Sequence, residues 1–337
     1  MDYSRRRFIR TVSAVLAAAS VKTLSAAGPA TLESEHQGNF RYIYGNEVYR
    51  DDFYRFLTNV FRLQPEDDLH RLIIQAAAEY LDDEKIYIKL QQQVDTVRPF
   101  LSELTYALPA LAKQKQVIAA QTKQLLAGKP YHEGYLEVGS TGRYLDSLED
   151  ELEITGQRYF LSPVPATYSI PDMIDRGQIA KAGEFIDLKN YQSNLGAVIP
   201  DNSIDLATVY IGFHHCPIAL REEFITSIRD ALKPGASMII RDHNVHDEKM
   251  WKMVALAHDV FNMGTQQSWI YNADELREFY SLATLDDMLR KYGFQSGRIQ
   301  LYQEGDPTLN ALMHKDKTVV RGFLKHIFDL INIFCVS

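Results

Sequence analysis

The sequence has little cysteine and no long uninterrupted hydrophobic run. Its 337 residues include two cysteines, Cys216 and Cys335, which can build neither a disulfide framework nor a four-cysteine zinc site. The hydrophobic fraction of 46% and the charged fraction of 24% are those of globular proteins, which excludes a disordered or low-complexity chain. At roughly 150 residues per domain, the length predicts about two domains.

Positive charge is scarce outside the first residues. The formal net charge is −8, and residues 1–27 hold five of the 36 cations but one of the 44 acids. The remainder of the chain therefore carries 31 cations and 43 acids, a net charge of −12. Because an acidic body repels phosphate backbones, we expect no nucleic-acid partner.

The N-terminus has the pattern of an export signal. A cationic stretch, residues 4–10 (SRRRFIR), precedes a short apolar run and a small-residue exit at residues 25–27 (SAA). The paired arginines resemble a twin-arginine signal, which serves the export of folded proteins. We therefore expect residues 1–30 to be a signal segment of an exported, periplasmic protein. The alternative is a chance basic leader on a cytoplasmic or membrane-associated protein.

The next part of the chain has helical periodicity. Polar, turn-rich residues 31–48 predict a linker, and residues 49–128 predict an all-helical segment. A proline and three acids at residues 65–68 mark a helix N-terminus. Apolar residues follow at helical spacing: Leu69, Leu72, Ile73 and Ala76. The segment is expected to serve either as a lid over a pocket or as a partner-binding module.

Short apolar runs alternate with helical stretches over residues 131–303. This alternation predicts an α/β fold, with an open parallel sheet and helices on both of its faces. The candidate strands are Tyr135–Val138, Arg158–Leu161, Glu184–Asp187, Ile204–Ile211, Ser237–Arg241 and Arg298–Tyr302.

The last part of the chain, residues 304–337, predicts a C-terminal helical tail. Its apolar residues recur at helical spacing over residues 320–334, with lysine and arginine nearby. Such a helix either packs on the body or lies at a membrane surface. Membrane contact is thus expected through this tail or through an uncleaved signal. The sequence indicates no oligomeric state.

Residues 135–144 (YLEVGSTGRY) combine a strand that contains an acid, Glu137, with a glycine-rich turn. This order can hold a cofactor at the carboxyl edge of a parallel sheet. Gly139 and Gly142 would let the backbone bend sharply and approach a ligand closely. The dinucleotide pattern G-x-G-x-x-G is absent, which disfavours a nicotinamide-dependent oxidoreductase.

Two further segments carry a family resemblance. Residues 199–215 read IPDNSIDLATVYIGFHH, and residues 232–243 read LKPGASMIIRDH. Over residues 131–303 the sequence resembles class I S-adenosylmethionine-dependent methyltransferases, in particular the branch with a P-D-N-S-x-D-L strand and an L-K-P-G turn. The resemblance implies a doubly wound Rossmann-like methyltransferase sheet, S-adenosyl-L-methionine as cofactor, and a small or lipid-like methyl acceptor. The alternative is a non-catalytic protein of this fold that binds a ligand or partner.

The resemblance also implies cofactor-binding residues at the ends of the first four strands. They are Glu137, Gly139, Ser140, Thr141, Gly142, Ser162, Asp187, Leu188, Tyr210 and Gly212. Two features depart from the family pattern. The glycine turn is one residue shorter than E-x-G-x-G-x-G, and the second strand ends in a serine where the family has an acid for the ribose hydroxyls. These departures favour the non-catalytic alternative.

Catalytic candidates follow the fourth and fifth strands. These strands are expected to be neighbours, so His214 and His215 would lie near Asp242 and His243 at one sheet edge. Histidine suits proton transfer near neutral pH. We expect His214 or His215 to contact the substrate or act as a base, supported by Asp242 or His243. The alternative is that these residues only cap the strand and begin the next helix.

The same cluster offers potential metal ligands. His246, Asp247, His258 and Asp259 follow on the chain, and histidines and carboxylates bind divalent ions. No compact ligand spacing supports such a site, so we expect no bound metal.

Overall fold

The computed structural model describes most of the chain. The described residues are 38–61, 65–97, 108–179, 183–192, 195–210 and 212–318. The predicted signal segment, 1–30, and the apolar part of the predicted tail, 320–334, lie outside them. No helix within these described ranges is long and apolar enough to cross a membrane.

The chain begins with a series of helices. They are α1 (Asn39–Tyr44), α2 (Glu47–Phe56, continued by the π-helical turn Leu57–Phe61), α3 (Glu66–Glu79), α4 (Asp83–Val97) and α5 (Leu108–Leu126). At the start of α3 three acids complement the positive end of the helix dipole. The predicted apolar face of α3 is buried, and the N-terminal helical segment is confirmed.

The linker predicted over residues 31–48 is wrong from residue 39 onwards. Those residues form α1 and the start of α2, and Phe40 and Ile43 are fully buried. The apolar face of α1 is short and is interrupted by polar residues, so its helical periodicity was not recognised in the sequence. Residues 31–37 lie outside the described ranges.

The strands in the described part of the chain form one seven-stranded sheet. The strands are β1 (Tyr131–Val138), β2 (Glu153–Ser162), β3 (Glu184–Asp187), β4 (Ile204–Val209), β5 (Leu232–Asp242), β6 (Phe294–Tyr302) and β7 (Ala311–Lys317). Their spatial order is β3-β2-β1-β4-β5-β7-β6. Strands β1 to β5 are parallel, and β7 is antiparallel to both of its neighbours. This order confirms the predicted doubly wound Rossmann-like fold and places its switch point between β1 and β4.

Helices cover both faces of the sheet. The later helices are α6 (Leu145–Glu149), α7 (Ile170–Arg176), α8 (Ile218–Ala231), α9 (Glu248–Gly264), α10 (Trp269–Asp274) and α11 (Leu282–Lys291). One face packs against α8 and α11, and the other against α5 and α6. Because Ile118 and Leu125 of α5 join the sheet core, this helix is one of those that cover the sheet, although it lies in the predicted N-terminal helical segment.

Strand β7 corrects the prediction of a helical tail from residue 304. Leu312 and Met313 are buried inside the sheet. Lys315 is also buried, where its ammonium group donates to Ser296 at 2.8 Å and pairs with Asp286. Lys315 is therefore satisfied inside the fold and does not contribute to a basic surface.

Helices α1 to α4 pack on α9, and we call these four helices the helical layer. The shared core comprises Phe40, Ile43, Phe53, Leu69, Ile73, Ile86 and Leu90 with Met253, Leu256 and Val260. Since α9 follows β5 at the carboxyl edge of the sheet, the helical layer is anchored at that edge.

A buried ion network joins α9 to the segment after α10. Arg277 donates to Asp259 at 2.8 Å and to Glu275 at 2.9 Å. All three side chains are at most 10% exposed. Asn39 of α1 donates to the second oxygen of Asp259 at 2.8 Å, which extends the network into the helical layer.

Replacing Arg277 by alanine should destabilise the protein strongly. The substitution would leave two buried carboxylates without their cation, and we expect a loss of about 3–5 kcal/mol in the free energy of unfolding. Arg71→Ala is the control, because Arg71 is 57% exposed and pairs with Asp68 in the same helix, α3. The loss of stability in this variant should stay below about 1 kcal/mol. Urea denaturation measures both, and equal losses would contradict the prediction.

Candidate functional site

The glycine turn after β1 is held from beneath by Glu137. This buried carboxylate accepts hydrogen bonds from the Tyr135 hydroxyl at 2.9 Å, from the Tyr144 main-chain N–H at 3.3 Å, and from the Ser140 hydroxyl. Burial raises the pKa of Glu137, against the effect of the hydroxyls that donate to it. Glu137 and Ser140, both predicted cofactor residues, therefore act as supports of the turn.

Both glycines of the turn need their lack of a side chain. Gly139 and Gly142 each have φ of +89°, in the region that L-residues with a Cβ seldom adopt. A Cβ on Gly142 would lie 2.7 Å from the Phe160 ring. The Gly139 N–H donates to the Leu161 carbonyl of β2 at 2.8 Å. The half-buried Thr141 lies between these glycines. The conformation of the turn is therefore set by its two glycines and by this bond to β2.

The next predicted cofactor residues lie at the ends of β2 and β3. Ser162 and Asp187 are register partners in the sheet. Ser162 is buried, and its hydroxyl accepts from the Val164 N–H at 3.4 Å. The Asp187 side chain is exposed and accepts from the Lys189 N–H at 3.0 Å. Leu188 is buried in the sheet core, so Asp187 is the polar group that this edge presents.

Tyr210 does not line the predicted pocket with its side chain. Its ring lies in the core on the α5 face, where its hydroxyl is 2.7 Å from the Thr122 hydroxyl. The ring packs edge-on against Tyr144. The prediction assumed that the whole end of β4 faces the ligand, whereas side chains alternate between the faces of a strand.

The turn after β4 brings His214 against Asp242 at the end of β5. Their Nδ1 and Oδ1 atoms are 2.7 Å apart. The other Asp242 oxygen accepts from the Tyr280 hydroxyl at 2.5 Å. Burial opposes ionisation of Asp242, but the adjacent His214 holds the pKa of this carboxyl below its ordinary value. Because a carboxylate only accepts, Nδ1 of His214 carries a proton and, in the neutral ring, Nε2 has the lone pair.

His243, also a predicted supporting residue, is turned away from this pair. Its Nδ1 lies 2.7 Å from the Thr308 hydroxyl, and only its main-chain N–H reaches Asp242, at 2.8 Å. Burial lowers its pKa well below the ordinary value. His243 thus supports Asp242 through the backbone and not through the imidazole.

Three imidazoles converge beside the end of β4. His258 of α9 joins His214 and His215, with ring centroids 4.4 Å apart for His214–His215 and 5.1 Å for each pair with His258. Burial and the two neighbouring histidines lower the pKa of His215 to about 3. The pKa of His258 is lowered mainly by burial. We call these three residues the histidine cluster.

The other potential ligands named from the sequence serve elsewhere. Asp247 caps α9 by accepting from the Met250 N–H at 2.7 Å, and exposed His246 lies beside it. Asp259 belongs to the Arg277 network. Sequence reasoning named His258 only as a potential metal ligand and gave Glu275 no role. Only tertiary packing brings Glu275 and the Tyr280 hydroxyl to this edge.

A cavity of about 240 Å³ lies on another side of the glycine turn. It is lined by Thr141, Phe160, Pro165, Ala166, Gly183 and Phe185. Of the predicted cofactor residues, Thr141 alone is among these lining residues, and none of the three histidines is. The cavity is therefore separate from the histidine cluster.

No family model and no curated protein matches the chain. One similar solved structure is the 1,6-didemethyltoxoflavin N1-methyltransferase of Burkholderia thailandensis, with bound 1,6-didemethyltoxoflavin and S-adenosylhomocysteine. Its sequence is 12% identical, the match covers 61% of this chain and 79% of that chain, and the TM-score is 0.40. An O-methyltransferase family protein of the same organism is 13% identical, with 74% and 63% covered and a TM-score of 0.43. The (4+2)-cyclase SpnF is also 13% identical, with 60% and 81% covered and a TM-score of 0.39. The fold class rests on the strand order.

Removing the Tyr280 hydroxyl should destabilise the edge. Tyr280→Phe would leave one buried oxygen of Asp242 without its donor, and we expect the free energy of unfolding to fall by about 1–3 kcal/mol. In the control, Tyr292→Phe, the lost partner is an exposed oxygen of Glu222, and the change should stay within about 0.5 kcal/mol. Denaturant titration compares them; an unchanged Tyr280→Phe protein would show that Asp242 does not need this bond.

Proposed function

We propose that this protein is an S-adenosylmethionine-dependent methyltransferase acting on a small or lipid-like molecule. The observation that carries the proposal is the glycine turn after β1, with its two positive-φ glycines and its buried supporting Glu137. The turn lies at the switch point of the sheet, where doubly wound folds bind ligands. The segments that resemble the methyltransferase family belong to β4 and β5 of the same sheet.

The residues of this edge fit the cofactor at the turn. The glycine-rich main chain of residues 139–142 would let the cofactor approach the turn closely. The buried Ser162 is already bonded to the backbone, so we assign the ribose hydroxyls to its register partner, the Asp187 carboxylate. The bound cofactor supplies an electrophilic methyl group on a sulfonium.

The acceptor would then lie between the glycine turn and the histidine cluster. Transfer needs an aligned acceptor lone pair and, for a hydroxyl or amine, removal of a proton. Asp242 fixes the orientation of His214 through a 2.7 Å contact. A role of His214 or His215 in contacting the acceptor or taking its proton stays a prediction.

Calorimetric titration with S-adenosylmethionine and S-adenosylhomocysteine tests the proposal. We expect saturable binding, which Gly139→Arg should abolish because the new side chain would fill the turn. Gly128→Arg is the matched control: its φ of +87° is close to the +89° of Gly139, and nothing lies within 4 Å of the position of its Cβ. Thermal unfolding of both variants separates lost binding from lost folding. Absence of binding by the native chain at millimolar ligand would refute the proposal.

We also propose that residues 1–30 direct export by the twin-arginine route. The order of arginines, apolar run and small residues supports this proposal. Replacing Arg5, Arg6 and Arg7 together by lysine keeps the charge and removes the arginine motif. We expect the variant to stay in the cytoplasmic fraction while the unaltered chain reaches the periplasm; the same location for both would reject the proposal.

A further inference from the structure

We propose that the histidine cluster binds one divalent transition-metal ion, with Zn²⁺ as its first candidate. One ring nitrogen from each of His214, His215 and His258 lies within 4.8 Å of the others. Imidazole ligands suit zinc, copper, iron and nickel. A set of three protein ligands is typical of zinc sites that keep a fourth position open for chemistry.

The hydrogen bonds of the cluster leave the same ring nitrogen, Nε2, available for a metal ion in all three histidines. Nδ1 of His214 contacts the Asp242 carboxylate at 2.7 Å, Nδ1 of His215 the Leu276 carbonyl at 2.9 Å, and Nδ1 of His258 the Glu275 carboxylate at 3.2 Å. Each of these partners can only accept, so each Nδ1 donates. Every neutral ring therefore keeps its lone pair on Nε2. Metal-bound histidines usually have such a partner on the second nitrogen.

The Nε2 atom of His214 is a buried acceptor with no hydrogen-bond partner among the described residues. Leaving a buried polar atom unsatisfied costs about 1–3 kcal/mol. Packing of neutral imidazoles against one another would not satisfy it. A metal ion would, and nitrogens bound to zinc at about 2.0–2.1 Å require a modest approach of the partly exposed His215 and His258.

The supports of the cluster are rigid. Glu275, which contacts His258, also accepts from Arg277 at 2.9 Å and from Asn262 at 3.2 Å. Asp242, which contacts His214, is fixed by Tyr280. Ligands held by buried partners on several elements lose little freedom when an ion binds.

Gly212 and Phe279 bound the cluster on two sides. A Cβ on Gly212 would lie 2.6 Å from Cδ2 of His215 and 3.1 Å from Nε2 of His214, so glycine leaves room there. The Phe279 ring, 5.1 Å from the His214 ring, bounds the cluster on another side. Metal binding does not rest on the proposed methyl transfer. If that transfer occurs, the ion would lie where the acceptor binds, and His214 would act as a ligand and not as a base.

The test uses the full chain after chelator treatment and dialysis. Zn²⁺ is titrated calorimetrically, and Co²⁺ is added separately because its visible absorption reports tetrahedral coordination. We expect one ion per chain and a tetrahedral Co²⁺ spectrum. His258→Ala should weaken Zn²⁺ binding by at least about 100-fold, since even the loss of an outer-shell partner costs 10–100-fold. His246→Ala, also close to α9 but 47% exposed on its side chain and outside the cluster, should bind like the native chain.

The outcomes separate this proposal from the proposed methyltransferase function. S-adenosylmethionine binding is measured on the same His258→Ala protein, and its retention, together with a native unfolding profile, shows that the variant is folded. Zn²⁺ binding that is absent in the native chain, or unchanged in His258→Ala, would overturn the metal site whatever the cofactor result. Metal binding without cofactor binding would support the site and count against the methyltransferase.

Discussion

A buried carboxylate at the end of β5 is the constraint on which the carboxyl edge of the sheet depends. Asp242 accepts from His214, from Tyr280 and from the backbone of His243. A charge removed from water is tolerated only when its lone pairs are satisfied. The turn after β4, the end of β5 and the segment before α11 are therefore fixed relative to one another. The orientation of the His214 ring, on which both of its possible chemical roles depend, follows from this one group.

Much of the fold could be predicted because its signals are local. The acids after Pro65 mark the start of α3, and β3 occupies the predicted residues Glu184–Asp187. The meeting of His214 with Asp242, 28 positions later, was also predictable, because neighbouring parallel strands bring their carboxyl ends to one edge. The family resemblance added the assignment of that edge to a cofactor and an acceptor.

The parts that escaped prediction depend on tertiary packing. His258 was named as a potential metal ligand, but nothing in its local sequence indicates that it meets His214 and His215. It lies on α9, which faces both the helical layer and the sheet edge. Lys315 belongs to the segment that was predicted to be a helical tail, yet its partners Asp286 and Ser296 hold it inside the sheet. Tyr210 was placed at the right strand end but on the wrong face, a difference of one residue in the alternation of a strand.

Because β7 lies between β5 and β6, the spatial order of these strands differs from their order along the chain. Strands β5 and β6 are not hydrogen-bonded to each other, because residues 311–317, which come after both, lie between them. During synthesis β5 and β6 therefore each keep an unpaired edge until β7 arrives, and exposed strand edges invite pairing with other chains. The sheet can therefore be completed only late in synthesis. Until nearly all of the described residues have been made, the nascent chain keeps unpaired strand edges that can pair with other chains.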